Sequence, residues 1–161
     1  MPLFMSTATN KVDGKGRVSV PSSFRANLLK GGFSEVVVYA SIRGVFLEGS
    51  DEVFMESILD RVSEEFDFQS DDLEGMALAF MGETYTLSFD PEGRVLLPRA
   101  LMESAGISSS ATFVGLGDTF QIWEPEAFTE RRKNLLAKAR KNLGRIGSVG
   151  RIGRGRSRGD E

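Results

Sequence analysis

The chain has no cysteine and no histidine among its 161 residues. A disulfide framework, a Ser-His-Asp triad, a cysteine nucleophile and the common zinc sites each need one of these residues and are therefore excluded. No apolar run approaches the roughly 18 residues that a membrane span requires. No Lys or Arg precedes Lys11, so the N-terminus does not resemble a signal peptide. We expect a soluble, unanchored cytoplasmic protein.

Residues that could bind a phosphate group or a metal ion lack the spacing that such sites need. Gly14-Lys15-Gly16 does not fit a Walker A loop, and Phe120 stands where Gly115-Leu116-Gly117 would need a further glycine. A group of carboxylates lacks the spacing of a calcium loop: Glu64, Glu65, Asp67, Asp71, Asp72 and Glu74. We interpret the glycines as hairpin turns and the carboxylates as surface charge. We expect no cofactor, no metal and no enzymatic activity.

Charge is distributed unevenly, although the net charge is only −3. Residues 1–130 hold 9 Lys and Arg against 21 Asp and Glu, a net −12, and residues 131–161 hold 11 against 2, a net +9. From residue 144 onward glycine recurs among arginines, a composition that buries little apolar surface and predicts disorder. We therefore expect an acidic body and a basic tail over residues 144–161.

One stretch of the sequence occurs twice. Residues 11–28 read KVDGKGRVSVPSSFRANL, and residues 88–105 read SFDPEGRVLLPRALMESA. Five identities recur 77 positions apart: Asp13, Gly16, Arg17, Val18 and Pro21 match Asp90, Gly93, Arg94, Val95 and Pro98. Residues 34–48 and 110–124 also correspond, each with a β-branched run, a turn containing Gly and a second strand. The chain therefore contains an internal duplication.

Each copy predicts the same series of elements. An Asp followed by a Gly suits a tight turn, because Asp can bond its own backbone and Gly tolerates positive φ. Alternating apolar residues beyond the turn predict a strand. Pro21 and Pro98 end that strand and open a short helix. A β-branched run, a turn containing Gly and a second strand then predict a hairpin.

Three further helices are predicted between and after the copies. The first covers residues 51–66 with Ser50 as its N-cap, and the second follows Ser70 as its N-cap. The third begins at Pro125 and continues to Leu143. The apolar face of the first helix is Val53, Phe54, Ile58, Leu59, Val62 and Phe66. We expect the first two helices to cover the body or a neighbouring subunit.

The two copies differ in charge around the repeated turn. Residues 11–25 have four cations against Asp13, a net +3: Lys11, Lys15, Arg17 and Arg25. Residues 88–103 have two cations against three acids, a net −1, and Glu92 stands in the place of Lys15. Because a polyanion approaching an acidic body needs a local positive surface, we predict that the first copy contacts double-stranded DNA. Charge alone favours phosphate contacts for Lys11 and Arg25.

The motifs DGKGRVSVPSSFR and FDPEGRVLLPRAL, followed by FVGLGDTFQIWE, resemble the MraZ family over residues 4–143. The resemblance implies a mainly β fold with added α-helices, in which two tandem swapped-hairpin units of the SpoVT-AbrB type form one double-split β-barrel. The family carries Gly two residues after the N-terminal Phe, where this chain has Ser6. The implied division is a first unit at 7–51, a helical linker at 52–83, a second unit at 84–127, a helix at 128–143 and a disordered basic tail at 144–161.

The resemblance also implies a function. It indicates a sequence-specific DNA-binding transcriptional regulator of the division and cell-wall gene cluster, located on the nucleoid. It further implies a ring homo-oligomer of about eight or more subunits, which would place the basic loops on repeated operator sites. In AbrB-like proteins the basic residues of this loop contact DNA, which assigns the principal contacts to Lys15 and Arg17. Arg94, the equivalent of Arg17, completes the candidate set.

Three alternatives remain open at the level of the sequence. Arg17 and Arg94 can be structural residues that pair with Asp13 and Asp90. The basic tail can serve solubility instead of attraction to phosphate. The whole protein can be an oligomeric interaction scaffold or an antitoxin-like partner, in which the acidic body binds another protein.

Overall fold

The computed structural model of the protein describes residues 3–147. It contains antiparallel sheets and added helices, with 27% of residues in strands and 44% in helices. In chain order the elements are β1 (Thr7–Lys11), β2 (Arg17–Ser19), α1 (Ser22–Lys30), β3 (Glu35–Ala40), β4 (Leu47–Ser50), α2 (Glu52–Glu65), α3 (Asp71–Ala77), a π-helical stretch (Leu78–Gly82), β5 (Thr84–Ser88), β6 (Arg94–Leu96), α4 (Arg99–Ala105), β7 (Ser110–Gly115), β8 (Phe120–Trp123), α5 (Pro125–Asn142) and a 3-10 turn (Leu143–Ile146).

The duplication is confirmed as a repeat of structure. Each copy runs strand, turn, strand, short helix and hairpin, and β5 begins 77 residues after β1, as the sequence offset requires. Pro21 and Pro98 occupy the N-cap positions of α1 and α4. The predicted tail falls mostly on residues 148–161, which lie outside the described residues.

The two copies exchange strands. Six strands pair in the order β1-β7-β8-β4-β3-β5, with β1 and β5 at the edges, and β2 pairs separately with β6. Thus β1 and β5 each join the hairpin of the other copy. Val18 lies directly opposite its equivalent Val95, and Glu48, the second residue of β4, lies opposite Gln121, the second residue of β8. These registers place a local two-fold axis through both sheets, so that neither copy has a complete sheet of its own.

The main core lies between α1, α4 and the sheets. Four aromatic rings meet there, with Phe24 at 5.3 Å from Phe4 and 5.0 Å from Phe120 between ring centroids, and 6.3 Å from Phe113. Val18 and Val95 of the two-stranded ribbon belong to the same core. Burial of such side chains contributes roughly 1.5–3 kcal/mol each, so the ribbon is fixed to the body by its inward face.

Two details of the linker helices differ from the sequence prediction. The N-cap of α2 is Asp51, whose carboxylate accepts a hydrogen bond from the Phe54 backbone N–H at 2.8 Å. Ser50 was the wrong residue because it is the last residue of β4, where it is buried opposite Val37. The helix buries Met55 and Val62, and Met55 was not part of the predicted apolar face.

The second linker helix is capped as predicted. The Ser70 hydroxyl accepts a hydrogen bond from the Leu73 backbone N–H at 3.1 Å. The α-helix stops at Ala77, however, and the chain continues as a π-helical stretch that brings Phe80 against Tyr39, with 5.8 Å between ring centroids. A small second core under α2 results, formed by Val37, Tyr39 and Met55.

The described residues divide into two compact units, one that ends at Pro125 and one that begins at Glu126. The first unit holds both copies and the linker helices. The second unit includes most of α5, which begins at Pro125 as predicted and carries exposed cations. Among residues 3–147, no helix is long and apolar enough to cross a membrane.

Ser6 occupies the position where the MraZ-type sequence pattern has a glycine. Its φ is +82°, a conformation that costs a residue with a Cβ atom about 1–2 kcal/mol. Its carbonyl accepts a hydrogen bond from the Gly115 N–H at 2.8 Å, which holds it there. We expect Ser6→Gly to raise the free energy of unfolding by about 1 kcal/mol in urea denaturation. The control Ala26→Gly, within α1, should lower it by about 1 kcal/mol, and a loss of stability in Ser6→Gly would contradict the prediction.

Candidate nucleic-acid interface

The repeated turn has the same backbone geometry in both copies. In the first turn the Gly16 N–H donates to the Asp13 carbonyl at 3.0 Å, and in the second the Gly93 N–H donates to the Asp90 carbonyl at 3.0 Å. Gly16 and Gly93 have φ of +92° and +79°, which explains why glycine recurs. The two turns therefore differ in their side chains and hardly at all in their backbone.

Each turn is also tied to the strand of the opposite copy. The Leu97 N–H donates to the Gly16 carbonyl at 2.9 Å, and the Val20 N–H donates to the Gly93 carbonyl at 3.2 Å. Because β2 and β6 run antiparallel, with Arg17 opposite Leu96, the turns lie at opposite ends of one short ribbon. A two-stranded ribbon of this kind is narrow enough to enter the major groove of DNA.

The two equivalent arginines are held differently. Nε of Arg17 lies 2.6 Å from Asp13 Oδ2, and among residues 3–147 this is the only ion pair of Arg17. Nε of Arg94 lies 2.8 Å from Asp90 Oδ2, and its terminal nitrogen lies 2.6 Å from Glu92 Oε2. The hydrogen bond to Asp90 raises the pKa of Arg94. Arg94 is thus engaged at two nitrogens, whereas Arg17 keeps its terminal nitrogens for another acceptor.

Asp13 organises the first turn. Its Oδ1 accepts hydrogen bonds from the backbone N–H groups of Arg17 and Lys15, each at 2.9 Å. The Arg17 backbone bond, followed by the Arg17 side-chain bond, lowers the pKa of Asp13 from 3.8 to about 2, and matching contacts lower the pKa of Asp90. The alternative that the arginines pair with their own aspartates is therefore observed, and in the first copy it leaves the outer part of the guanidinium open.

The lowered pKa predicts how the turn responds to acid. A carboxyl group whose pKa falls on folding stabilises the protein above its unfolded value of 3.8, and this contribution disappears as pH falls from about 4 toward 2. We expect NMR titration of the Asp13 carboxyl carbon to find it mostly ionised at about pH 3, where an unfolded peptide of residues 11–17 has it mostly protonated. In Arg17→Ala the pKa of Asp13 should rise only part of the way toward 3.8, because the backbone N–H groups of residues 15 and 17 still donate to its carboxylate. A peptide-like pKa in the folded protein would refute the assignment.

Arg25 lies at the second turn, although its sequence position assigned it to the first. Its Nε donates to the Val20 carbonyl at 3.2 Å, and a Cβ atom on Gly93 would collide with its guanidinium. Arg25 therefore adds positive charge beside the second turn. When Arg25 is counted with the second turn instead of the first, the net charge of the first turn region changes from +3 to +2 and that of the second from −1 to 0. The charge asymmetry remains, but it is smaller than the sequence suggested.

The remaining candidates lie around the first turn. Lys15 is exposed within the turn, and Lys11 is exposed at the end of β1, opposite Ser110 of β7. The structure thus brings Lys15 and Arg17 together at one end of the ribbon, and Arg25 and Arg94 at the other. Among the described residues, no group of three or more Asp and Glu side chains converges to hold a metal ion.

Sequence reasoning did not identify the outward face of the ribbon as a unit. Val18 and Val95 are buried, so the alternating residues face away from the core. They are Arg17, Ser19, Arg94 and Leu96. The same period-2 alternation that predicted the strands contained this information, because Leu96 stands between two inward residues, Val95 and Leu97.

These features define a class of protein. It is a tandem duplication whose halves exchange strands. Each half presents a turn with an Asp, a Gly three residues later and then an Arg, and both turns lie on a shared ribbon. A family profile described as "MraZ protein, putative antitoxin-like" matches residues 80–143.

Similar proteins extend the match over most of the chain. A protein of Parvibaculum lavamentivorans is 42% identical over 80% of this chain and 80% of its own length. One of Pelagibacter ubique is 39% identical over 87% and 90%, and one of Rickettsia bellii is 40% identical over 88% and 91%. Each is named "Transcriptional regulator MraZ". The chain belongs to the MraZ family.

Proposed function

We propose that this protein is a sequence-specific DNA-binding transcriptional regulator that acts on the division and cell-wall gene cluster. The observation that carries the proposal is the difference between the two turns: Arg17 has one ion pair among residues 3–147, and its equivalent Arg94 has two. An arginine with free terminal nitrogens on an exposed ribbon can donate to O6 and N7 of guanine or to phosphate. The similar proteins are named as transcriptional regulators, which supports a role in transcription.

The role of each cation follows from its position. Arg17 is the proposed base contact, with Lys15 beside it at the tip of the turn. Lys11 and Arg25 are proposed phosphate contacts, and Arg94 is held for a supporting role by Asp90 and Glu92. No cofactor is needed for binding of this kind, since charge and hydrogen-bond donors supply it.

The proposal includes the higher-order arrangement. The exchanged strands support a double-split β-barrel built within one chain, and we propose that such chains form a closed ring of about eight or more subunits. A ring would present the first turn at regular intervals to successive DNA repeats on the nucleoid, which raises affinity through effective concentration. Light scattering after size exclusion tests the ring: a monomer at every concentration would overturn it.

A gel shift tests the function itself. The probe is the DNA directly upstream of the protein's own coding sequence, and the competitor is unrelated DNA of equal length and base composition. We expect a shift that survives the competitor and weakens as salt rises. Equal affinity for the two DNAs would contradict sequence-specific binding, and no shift at low salt would contradict DNA binding altogether.

The basic tail makes a separate prediction. Truncation after Leu143 removes five arginines: Arg145, Arg151, Arg154, Arg156 and Arg158. We expect weaker binding to specific and unrelated DNA alike, because the tail adds attraction to phosphate without reading bases. The slope of log affinity against log salt should flatten by about 0.9 for each phosphate that the truncated protein no longer neutralises. An unchanged slope would assign the tail to solubility alone.

A second candidate function is an antitoxin-like protein partner, which the description of the family profile favours. Residues 51–83 hold 11 Asp and Glu against one Arg, a net −10, and Phe68 is 86% exposed between α2 and α3. Such a surface suits a basic protein. This candidate predicts no shift with the upstream DNA at low salt, so the gel shift separates the two.

A further inference from the structure

The outward face of the β2–β6 ribbon contains an apolar side chain between two arginines. Leu96 lies directly opposite Arg17 in the ribbon, and Ser19 lies opposite Arg94. Leu96 is 56% exposed, although an alternating strand usually places a polar residue on its solvent face. This arrangement puts a hydrophobic side chain beside the arginine that carries the proposed function.

The scaffold does not require leucine at this position. The equivalent residue in the first copy is Ser19, in the same backbone setting and on the same face. Leu96 leans toward the first turn: its Cδ1 would lie 3.6 Å from a Cβ atom on Gly16. The side chain therefore extends along the ribbon at the Arg17 end, where a groove-bound DNA base would meet both residues.

We propose that Leu96 determines sequence specificity by contacting the 5-methyl group of thymine in the major groove, next to the base pair that Arg17 contacts. This inference rests on the proposed DNA-binding function. Thymine alone among the four DNA bases presents a methyl group in the major groove, and apolar side chains recognise it. Directly opposed residues of a ribbon have Cβ atoms about 5 Å apart, which corresponds to roughly one or two base-pair steps.

The flanking charges favour DNA over a second protein as the occupant of this face. Arg17 and Arg94 have side chains that are 40% and 30% exposed on either side of the ribbon centre. A protein interface around Leu96 would have to remove the Arg17 guanidinium from water, and among residues 3–147 its terminal nitrogens have no carboxylate to compensate for that cost. In a DNA groove those nitrogens can donate to phosphate or guanine acceptors.

The test compares thymine with uracil, which lacks only the methyl group. The upstream DNA is amplified with dTTP or with dUTP, and both products are titrated with the wild-type protein and with Leu96→Ser, which copies the residue of the first repeat. Wild type should bind uracil DNA roughly fourfold more weakly for each methyl contacted. Leu96→Ser should bind thymine DNA as weakly as wild type binds uracil DNA, and its affinities for the two DNAs should be equal.

Two further variants complete the experiment. Leu116→Ser is the matched control, because Leu116 is 55% exposed and lies in the turn between β7 and β8, which is not part of the ribbon. This variant should discriminate as wild type does. Leu96→Met keeps an apolar side chain and should restore the preference for thymine. Equal wild-type affinity for both DNAs, or an unchanged preference in Leu96→Ser, would overturn the inference while leaving DNA binding intact. Failure of wild type to bind thymine DNA would overturn the proposed function instead.

Discussion

Arg17→Ala should abolish specific binding to the upstream DNA while the protein keeps its fold and oligomeric mass. Removing one bidentate hydrogen-bond pair to guanine costs about 1–3 kcal/mol, or roughly 5- to 150-fold in affinity. A ring that engages several repeats multiplies this effect with each turn that meets DNA. The turn itself should persist in the variant, because Asp13 still accepts two backbone hydrogen bonds, at 2.9 Å each.

Two comparison variants make the result specific. Arg94→Ala removes the same side chain from the second turn, where Asp90 and Glu92 already hold it, and it should lose much less affinity. Arg17→Lys keeps the charge but not the planar fork, so it should retain binding to unrelated DNA and lose discrimination. Both aspartate–arginine pairs are partly exposed, so neither variant should change the free energy of unfolding by more than about 1 kcal/mol. Operator binding by Arg17→Ala at the wild-type level would refute the assignment of this residue.

The local elements could be predicted from the sequence because their causes are local. The Asp and Gly of each turn, the alternating strand residues and the helix-opening prolines act within a few positions, and the structure contains all of them. The N-cap of α2 was harder: Ser50 and Asp51 are both good caps, and the pairing of Ser50 with Val37 decided between them. That pairing is a tertiary contact, which local propensity does not contain.

The candidate site could be predicted less completely, because it is assembled from distant parts of the chain. Arg25 and Gly93 are far apart in sequence, and they meet only because the two copies exchange strands. Counting Arg25 with its sequence neighbours therefore assigned its charge to the wrong turn. The ion pair between Arg94 and Glu92 joins residues that are close in sequence. Its consequence is that Arg94 has less freedom than Arg17 to contact DNA, and this becomes clear only when the two turns are compared in the structure.

Glu92→Lys should convert the second turn into a second DNA-binding turn. The backbone is already suitable, since the Glu92 N–H donates to Asp90 Oδ1 at 2.9 Å, as the Lys15 N–H donates to Asp13. The substitution removes the ion pair at 2.6 Å that holds Arg94 and changes the charge of residues 88–103 from −1 to +1. We expect tighter DNA binding and a salt slope that steepens by about 0.9 for each additional phosphate that the variant neutralises.

Glu103→Lys is the matched control for Glu92→Lys, because it makes the same change of charge on α4. Glu103 is exposed and lies 3.8 Å from Arg99, outside the turn. If the turn is responsible, Glu92→Lys should raise affinity well beyond Glu103→Lys, and the reverse exchange Lys15→Glu should weaken binding by giving Arg17 a second acidic partner. Equal increases in affinity from the two lysine variants would mean that net charge, and not the geometry of the turn, controls binding. In that case, freeing Arg94 from its ion pair with Glu92 would not have improved DNA binding. The result would therefore also remove the basis for proposing Arg17 as the residue that reads DNA.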